Sequence, residues 1–173
     1  MSDADNVVVG ITGAAYIGAT SATAPTSSTS ALTGFNDLGY VSADGIEVAS
    51  DKSTAAIRAW QNADLVRETV TESTLTYKFM LLESTEDTIE AYFGSSMVDG
   101  KIEYSPSNTG GKKSFVFDIV DGSKTIRHYV PTGEIMSVEP LAVKNGEAVA
   151  YGVTVTAYAT DGRCADVFYS EFE

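Results

Sequence analysis

The chain has 173 residues, 43% of them hydrophobic, which is enough for one packed domain and too apolar for global disorder. Its formal net charge of −13 opposes nucleic-acid phosphates and anionic lipid, which argues against a DNA-binding module or a membrane-surface protein. Cys164 is the single cysteine, so the chain by itself offers neither an internal disulfide nor a cysteine-based zinc site.

The first residues, MSDADNVVVG, begin with acids and lack a basic stretch ahead of an apolar run, so no secretory signal is expected. No segment approaches the roughly 20 apolar residues that a bilayer span needs. Both features predict a protein made in a cytosol and soluble there. Val7–Ile17 is apolar and β-branched enough for a first strand, weakened by Gly10 and Gly13. GATSATAPTSSTSALTGFNDLG follows, a stretch of small and hydroxyl residues with almost no charge. That composition predicts a loop, with Gly18–Gly34 mobile until a neighbour covers it. Lys52 is the first basic residue, so the first 51 residues carry only acids: Asp3, Asp5, Asp37, Asp44, Glu47 and Asp51.

GYVSADGIEVAS predicts two short strands around an Asp44-Gly45 turn. Ser50–Asp64 keeps neither strand nor helix spacing, and reads as an excursion with a short helical turn that presents Trp60. The next run, VRETVTESTLTYKFMLLE (Val66–Glu83), predicts one strand far longer than the usual 5–6 residues or so. Leu75, Tyr77, Phe79 and Leu81 alternate with Thr74, Thr76 and Lys78. In its first half the phase reverses, with Val66, Glu68, Val70 and Glu72 on one side.

STEDTIEAYFG predicts the one helix, capped by Ser84 or Thr85 and ended by Gly94. Strands joined by turn dipeptides fill the rest. Asp99-Gly100, Asp121-Gly122, Asn145-Gly146 and Asp161-Gly162 each lie between alternating runs, and Pro131-Thr132-Gly133 breaks another. The expectation is a single domain, residues 1–173, mainly β. It is an antiparallel β-sandwich or barrel with one short flanking helix and long loops.

Chemistry is hard to place on this pattern. His128 is the only histidine and sits in a strand-like run, TIRHYVP, without a companion for a metal. Cys164 would be a nucleophile only with His128 beside it, and otherwise is a small hydrophobe. The four Asp-Gly pairs lack the spacing of a calcium loop, and SNTGGKKS lacks the pattern of a phosphate loop. Tyr77, Phe79, Tyr92, Phe93, Phe115 and Phe117 fall at core periodicity. No catalytic residue, metal site or cofactor is expected.

The order of blocks resembles the major tail tube proteins of long, non-contractile-tailed bacteriophages, particularly those of actinobacterial hosts. The resemblance is carried by VVVGITGAAYIG, by the block from LGYVSADGIEVAS through TYKFMLLE, by STEDTIEAYFG, by HYVPTGEIMSVEP and by GEAVAYGVTVTAYATDG. It covers nearly the whole chain except Gly18–Gly34. It implies a β-sandwich-like barrel with a flanking helix, and hexameric rings stacked into a hollow conduit for the genome. It also implies a structural, non-enzymatic role in the virion tail, assembly in the host cytoplasm, and contacts with tape measure, tail terminator and tail tip proteins. DNA would pass without specific binding.

Residues 18–38 and 50–65 are then the expected inter-subunit elements. Ile57, Trp60, Leu65, Val66 and Val70 are candidate interface residues, because they are weakly committed to a monomer core and tryptophan is a favoured anchor. Glu68 and Glu72 are candidates for an acidic lumen wall that repels phosphate. The competing reading is a carbohydrate- or receptor-binding or decoration module on a β-sandwich, and a β-sandwich hydrolase ranks third.

Overall fold

The computed structural model describes residues 6–172. Its strands are β1 (Thr12–Thr23), β2 (Thr33–Asp37), β3 (Val41–Arg58), β4 (Leu65–Leu81), β5 (Met97–Val98), β6 (Lys101–Ile102), β7 (Lys113–Asp121), β8 (Lys124–Val138), β9 (Tyr151–Ala157) and β10 (Asp166–Tyr169). The helix α1 (Glu86–Phe93) stands between β4 and β5. The main sheet runs β2-β1-β7-β8-β9-β4-β3, with β10 added beside β8, and every pairing is antiparallel. The expected mainly-β architecture with one helix is what forms.

The sheet curls on itself. Tyr77 of β4 stacks on Phe117 of β7 with ring centroids 4.6 Å apart, although β9 and β8 separate their strands in the sheet. Alternation supplies the enclosed face: Ala15, Tyr77, Phe79, Phe115, Phe117, Val153 and Val155 are buried from four strands. The six aromatics predicted as core behave so, with Phe93 only partly buried. α1 closes one end of this interior with Ala91 and Tyr92. Thr85 caps it by accepting from the Thr88 backbone N–H, Glu86 and Asp87 sit in the first turn, and Gly94 ends it at φ 66°.

Several boundaries differ from the sequence reading. The first strand begins at Thr12, leaving Val7, Val9 and Ile11 exposed ahead of it, and it continues to Thr23. Asp44-Gly45 does not separate two strands. It lies in a wide bulge inside β3, where Ser42–Gly45 oppose the single residue Met80. Pro131-Thr132-Gly133 does not break β8. The strand pairs with β7 through Val130 and again at Gly133, with a register shift across Pro131 and Thr132, and pairs with β9 from Gly133 onward. A proline is tolerated at such a register shift because no ladder hydrogen bond is required of it there. Asn145-Gly146 lies in a segment without strand, residues 139–150, so it is a loop turn and not a hairpin.

Candidate assembly interface

The longest strands of the molecule are β3, with 18 residues, and β4, with 17. From Leu75 to Leu81, β4 has β9 on one edge and β3 on the other. From Leu65 to Thr74 only β3 pairs with it. The two strands therefore leave the sheet as a two-stranded arm, extending roughly 30 Å at about 3.4 Å per residue. Ser50–Arg58, expected as an excursion with a helical turn, is strand instead: the ladder with β4 overrides a sequence with no clear period of its own. Residues 59–64 form the tip, closed by the Ala59 N–H donating to the Asp64 carbonyl at 2.8 Å, with Asn62 and Ala63 at positive φ.

The arm buries almost nothing. Trp60 is 99% exposed at the tip, so it does not fold back on the core. Ile57, Leu65, Val66 and Val70 are between 53% and 66% exposed. A lone two-stranded ladder is marginal in water, and large exposed apolar side chains clustered on one mark an interaction surface.

The reversal of phase in β4 has a local cause. Ser53 faces Glu72 and Thr54 faces Val70, so Thr71 is an extra residue in β4. One inserted residue exchanges the two faces of the strand beyond it. Val70 and Glu68 consequently continue the face of Leu75, Tyr77 and Phe79, and Glu68 accepts a hydrogen bond from Thr54 at 2.5 Å on that face. Glu72 falls on the other face with Thr74, Thr76 and Lys78. The expectation that Glu68 and Glu72 share one side is corrected: the Thr71 bulge puts them on opposite faces. The polar face continues over Glu47 and Asp51 of β3 and Thr154 and Thr156 of β9. Two cations share that face: Arg67, further out on the arm, and Lys78, which is held by Glu139 at 2.7 Å, a hydrogen bond that raises the lysine pKa.

The Gly18–Gly34 stretch is not left for a neighbour to order. The Arg127 guanidinium grips Asp118 with two hydrogen bonds of 2.7 Å and also donates to the Ser30 carbonyl at 2.7 Å and the Ser27 carbonyl at 3.3 Å. Ser28 is fully buried beneath this clasp. The sequence reading missed the pair, although the signal was present. Counting outward from the Gly122-Ser123 turn places Asp118 opposite Arg127.

An open cleft of about 1120 Å³ lies between α1, the segment 94–111 and the edge formed by β1 and β2. Nothing in the sequence pattern indicated it, because its walls converge from distant segments. His128 is half-buried, its Nδ1 3.3 Å from the Tyr77 hydroxyl. Burial lowers the His128 pKa and pushes Tyr77 up to about 12. Cys164 is partly buried against the core. Among the described residues, no group of three or more His, Cys, Asp or Glu is placed to hold a metal ion, and no helix is long and apolar enough to cross a membrane.

Comparison with known families matches the chain to the model described as phage tail tube protein over residues 1–171. No curated protein matches. Among solved structures, one similar chain belongs to the virion of a native gene transfer agent particle. It has 10% identity and a TM-score of 0.43, covering 79% of this chain and 88% of that one. Another belongs to the tail of an empty gene transfer agent particle refined with C6 helical symmetry, with 9% identity and a TM-score of 0.42, covering 92% and 96%.

Proposed function

Because the chain belongs to the phage tail tube protein family, we propose that it builds stacked six-membered rings of a hollow tail tube that conducts the genome into a host cell. The ring size is the one the family resemblance implies, as are assembly in the host cytoplasm and contacts with tape measure, terminator and tip proteins. A non-enzymatic role follows from the family's structural task. The observation that carries the reading is the β3–β4 arm, a ladder outside the core that presents Trp60 to solvent. A monomer gains little from it. Covering Trp60 against another subunit removes roughly 150–250 Å² from water. That area contributes about 4–6 kcal/mol at about 25 cal/mol/Å² before ordering costs.

Residues 50–65 then serve as inter-subunit elements with Ile57, Leu65, Val66 and Val70 beside the tryptophan. Residues 18–38 supply β2, the strand at the opposite edge of the sheet, for the neighbour within a ring. The polar face of β3, β4 and β9 lines the lumen, with Glu47, Asp51 and Glu72 outnumbering Lys78 and Arg67. Acids there keep phosphates from gripping the wall within a Debye length of about 8 Å.

Negative-stain microscopy of the concentrated protein should show hollow tubes, and a protein that stays monomeric at every concentration would overturn the reading. In such tubes Glu72→Lys should create salt-dependent retention of duplex DNA. Glu68→Lys, on the other face, should not. Equal retention by both variants would remove the lumen assignment.

A further inference from the structure

The arm leaves β4 at its N-terminal half, while α1 follows from the C-terminal end of the same strand at Leu81. The cleft is built on α1 and the segment 94–111. Projection and cavity therefore sit toward opposite ends of one strand, and the arm points away from the cleft of its own chain. We infer that the cleft is the seat of the arm tip, Trp60 included, of a second copy of this chain. The inference rests on the tube reading above and adds to it the surface that receives the arm.

Three features fit this occupant. The first is size. At about 1120 Å³ the cleft exceeds the roughly 300–1,000 Å³ usual for small-molecule pockets, and it is open along one side, as a chain segment requires.

The second is the nature of the wall. Gly94, Gly110 and Gly111 line it at φ 66°, 73° and 74°. A Cβ at Gly94 would stand 2.4 Å from the Asn108 carbonyl oxygen, so the wall is bare backbone held in close approach. Such a surface lets a flat indole ring lie against peptide groups and offers acceptors to its N–H.

The third is charge. The lining carries Asp87, Glu90, Asp99 and Glu103 against Lys101 and Lys113, and Lys101 is already paired with Glu103 at 2.8 Å. The distal end of the arm, residues 55–67, carries Arg58 and Arg67 on the strands flanking the tip against Asp64 within it. In a chain of net charge −13, the arm end over residues 55–67 has an excess of positive charge and the cleft lining an excess of negative. Complementary patches of this kind steer association and fix register.

A protrusion at one end and its receptor at the other form a heterologous contact. Each copy then has one unfilled arm and one unfilled cleft at the growing ends, so the contact propagates along an axis without closing.

Cross-linking tests the assignment. Gln61→Cys beside Trp60 and Ser96→Cys in the cleft, combined in a Cys164→Ala chain, should form tubes. A short bismaleimide should then convert them into a ladder of covalent oligomers well beyond the dimer, while each single-cysteine chain gives none. A second route avoids new thiols. Ser96→Arg, which blocks the cleft, should keep the wild-type melting temperature and raise the concentration needed for tubes at least about tenfold. Tubes that form normally without a ladder, together with unchanged assembly of Ser96→Arg, would overturn the cleft assignment and leave the tube reading standing. Failure of the wild-type chain to form tubes would overturn both.

Discussion

Residues 18–34 and 50–64 look alike as sequence. Both are dominated by small and polar residues, and neither keeps the alternation of a core strand. Folded, they part company: the first is held against the sheet by Arg127 with Ser28 fully buried, while the second projects as a ladder whose residues 50–58 are all exposed. The difference lies outside both stretches. A buried guanidinium–carboxylate pair on β7 and β8 offers the first stretch a hydrogen-bond donor for its carbonyls. The second is offered only a partner strand. Commitment to a fold is thus decided by what a distant segment supplies, and a stretch without such a supplier stays exposed.

The largest way to break this contrast is Arg127→Ala. It leaves the Asp118 carboxylate buried without its bidentate partner, which typically costs about 3–5 kcal/mol. Unfolding by urea should show the loss, and hydrogen exchange in residues 24–32 should rise to the level of the arm. If those residues stay protected, the clasp is not what separates the two regions.

Acid should have a smaller effect on the same side. Burial holds His128 below its ordinary value of 6.5, so the unfolded chain takes up its proton first. The stability tied to a neutral His128 is complete above pH 6.5, falls as the pH drops below that value, and levels off beneath the folded pKa. His128→Gln should flatten melting temperature against pH between 6.5 and that lower limit, with exchange in the arm unchanged. An undiminished slope would assign the acid sensitivity to other groups.

On the arm the effects shrink. Trp60→Ala and Val70→Ala should each change monomer stability by less than about 0.5 kcal/mol, because neither side chain is buried. A drop of several degrees in the melting temperature of the monomer would show that the arm is coupled to the core after all. Smallest is Ala63→Gly. Ala63 sits at φ 54°, which a side chain disfavours, and glycine should raise protection of the tip by under about 1 kcal/mol. Loss of tip protection would mean that the added backbone freedom outweighs the relief.

Much of the fold was legible because its signals are local. The helix, its Thr85 cap and its Gly94 stop follow from short-range rules, as do the Asp99-Gly100, Asp121-Gly122 and Asp161-Gly162 turns. The arm was half legible. Its length could be read from β4, and Trp60 stood out in the polar stretch before it, but Ser50–Arg58 has no strand signature and becomes strand only by pairing. The cleft was not legible at all, since α1, residues 94–111 and the β1–β2 edge meet only in space. Pro131 and Asn145-Gly146 misled in opposite directions: one looked like an interruption and is strand, the other looked like a hairpin turn and lies in a loop.

Thr71 contributes little by its own contacts, a hydrogen bond to the Ser53 carbonyl at 3.1 Å. Its importance is arithmetic: it sets whether the positions distal to it count as odd or even. Inserting one residue into β3 between Ser53 and Thr54 would give Thr71 a partner and absorb the bulge, lengthening the ladder by about 3.4 Å, a small change in reach. Yet Val70 and Glu68 would then trade surfaces with Thr69 and Arg67, moving an arginine to where the valine had been. Evolution or a designer can therefore invert the character of both sides of the arm without altering a single side chain. Homologous arms are better compared by the parity of their insertions than by residue identity.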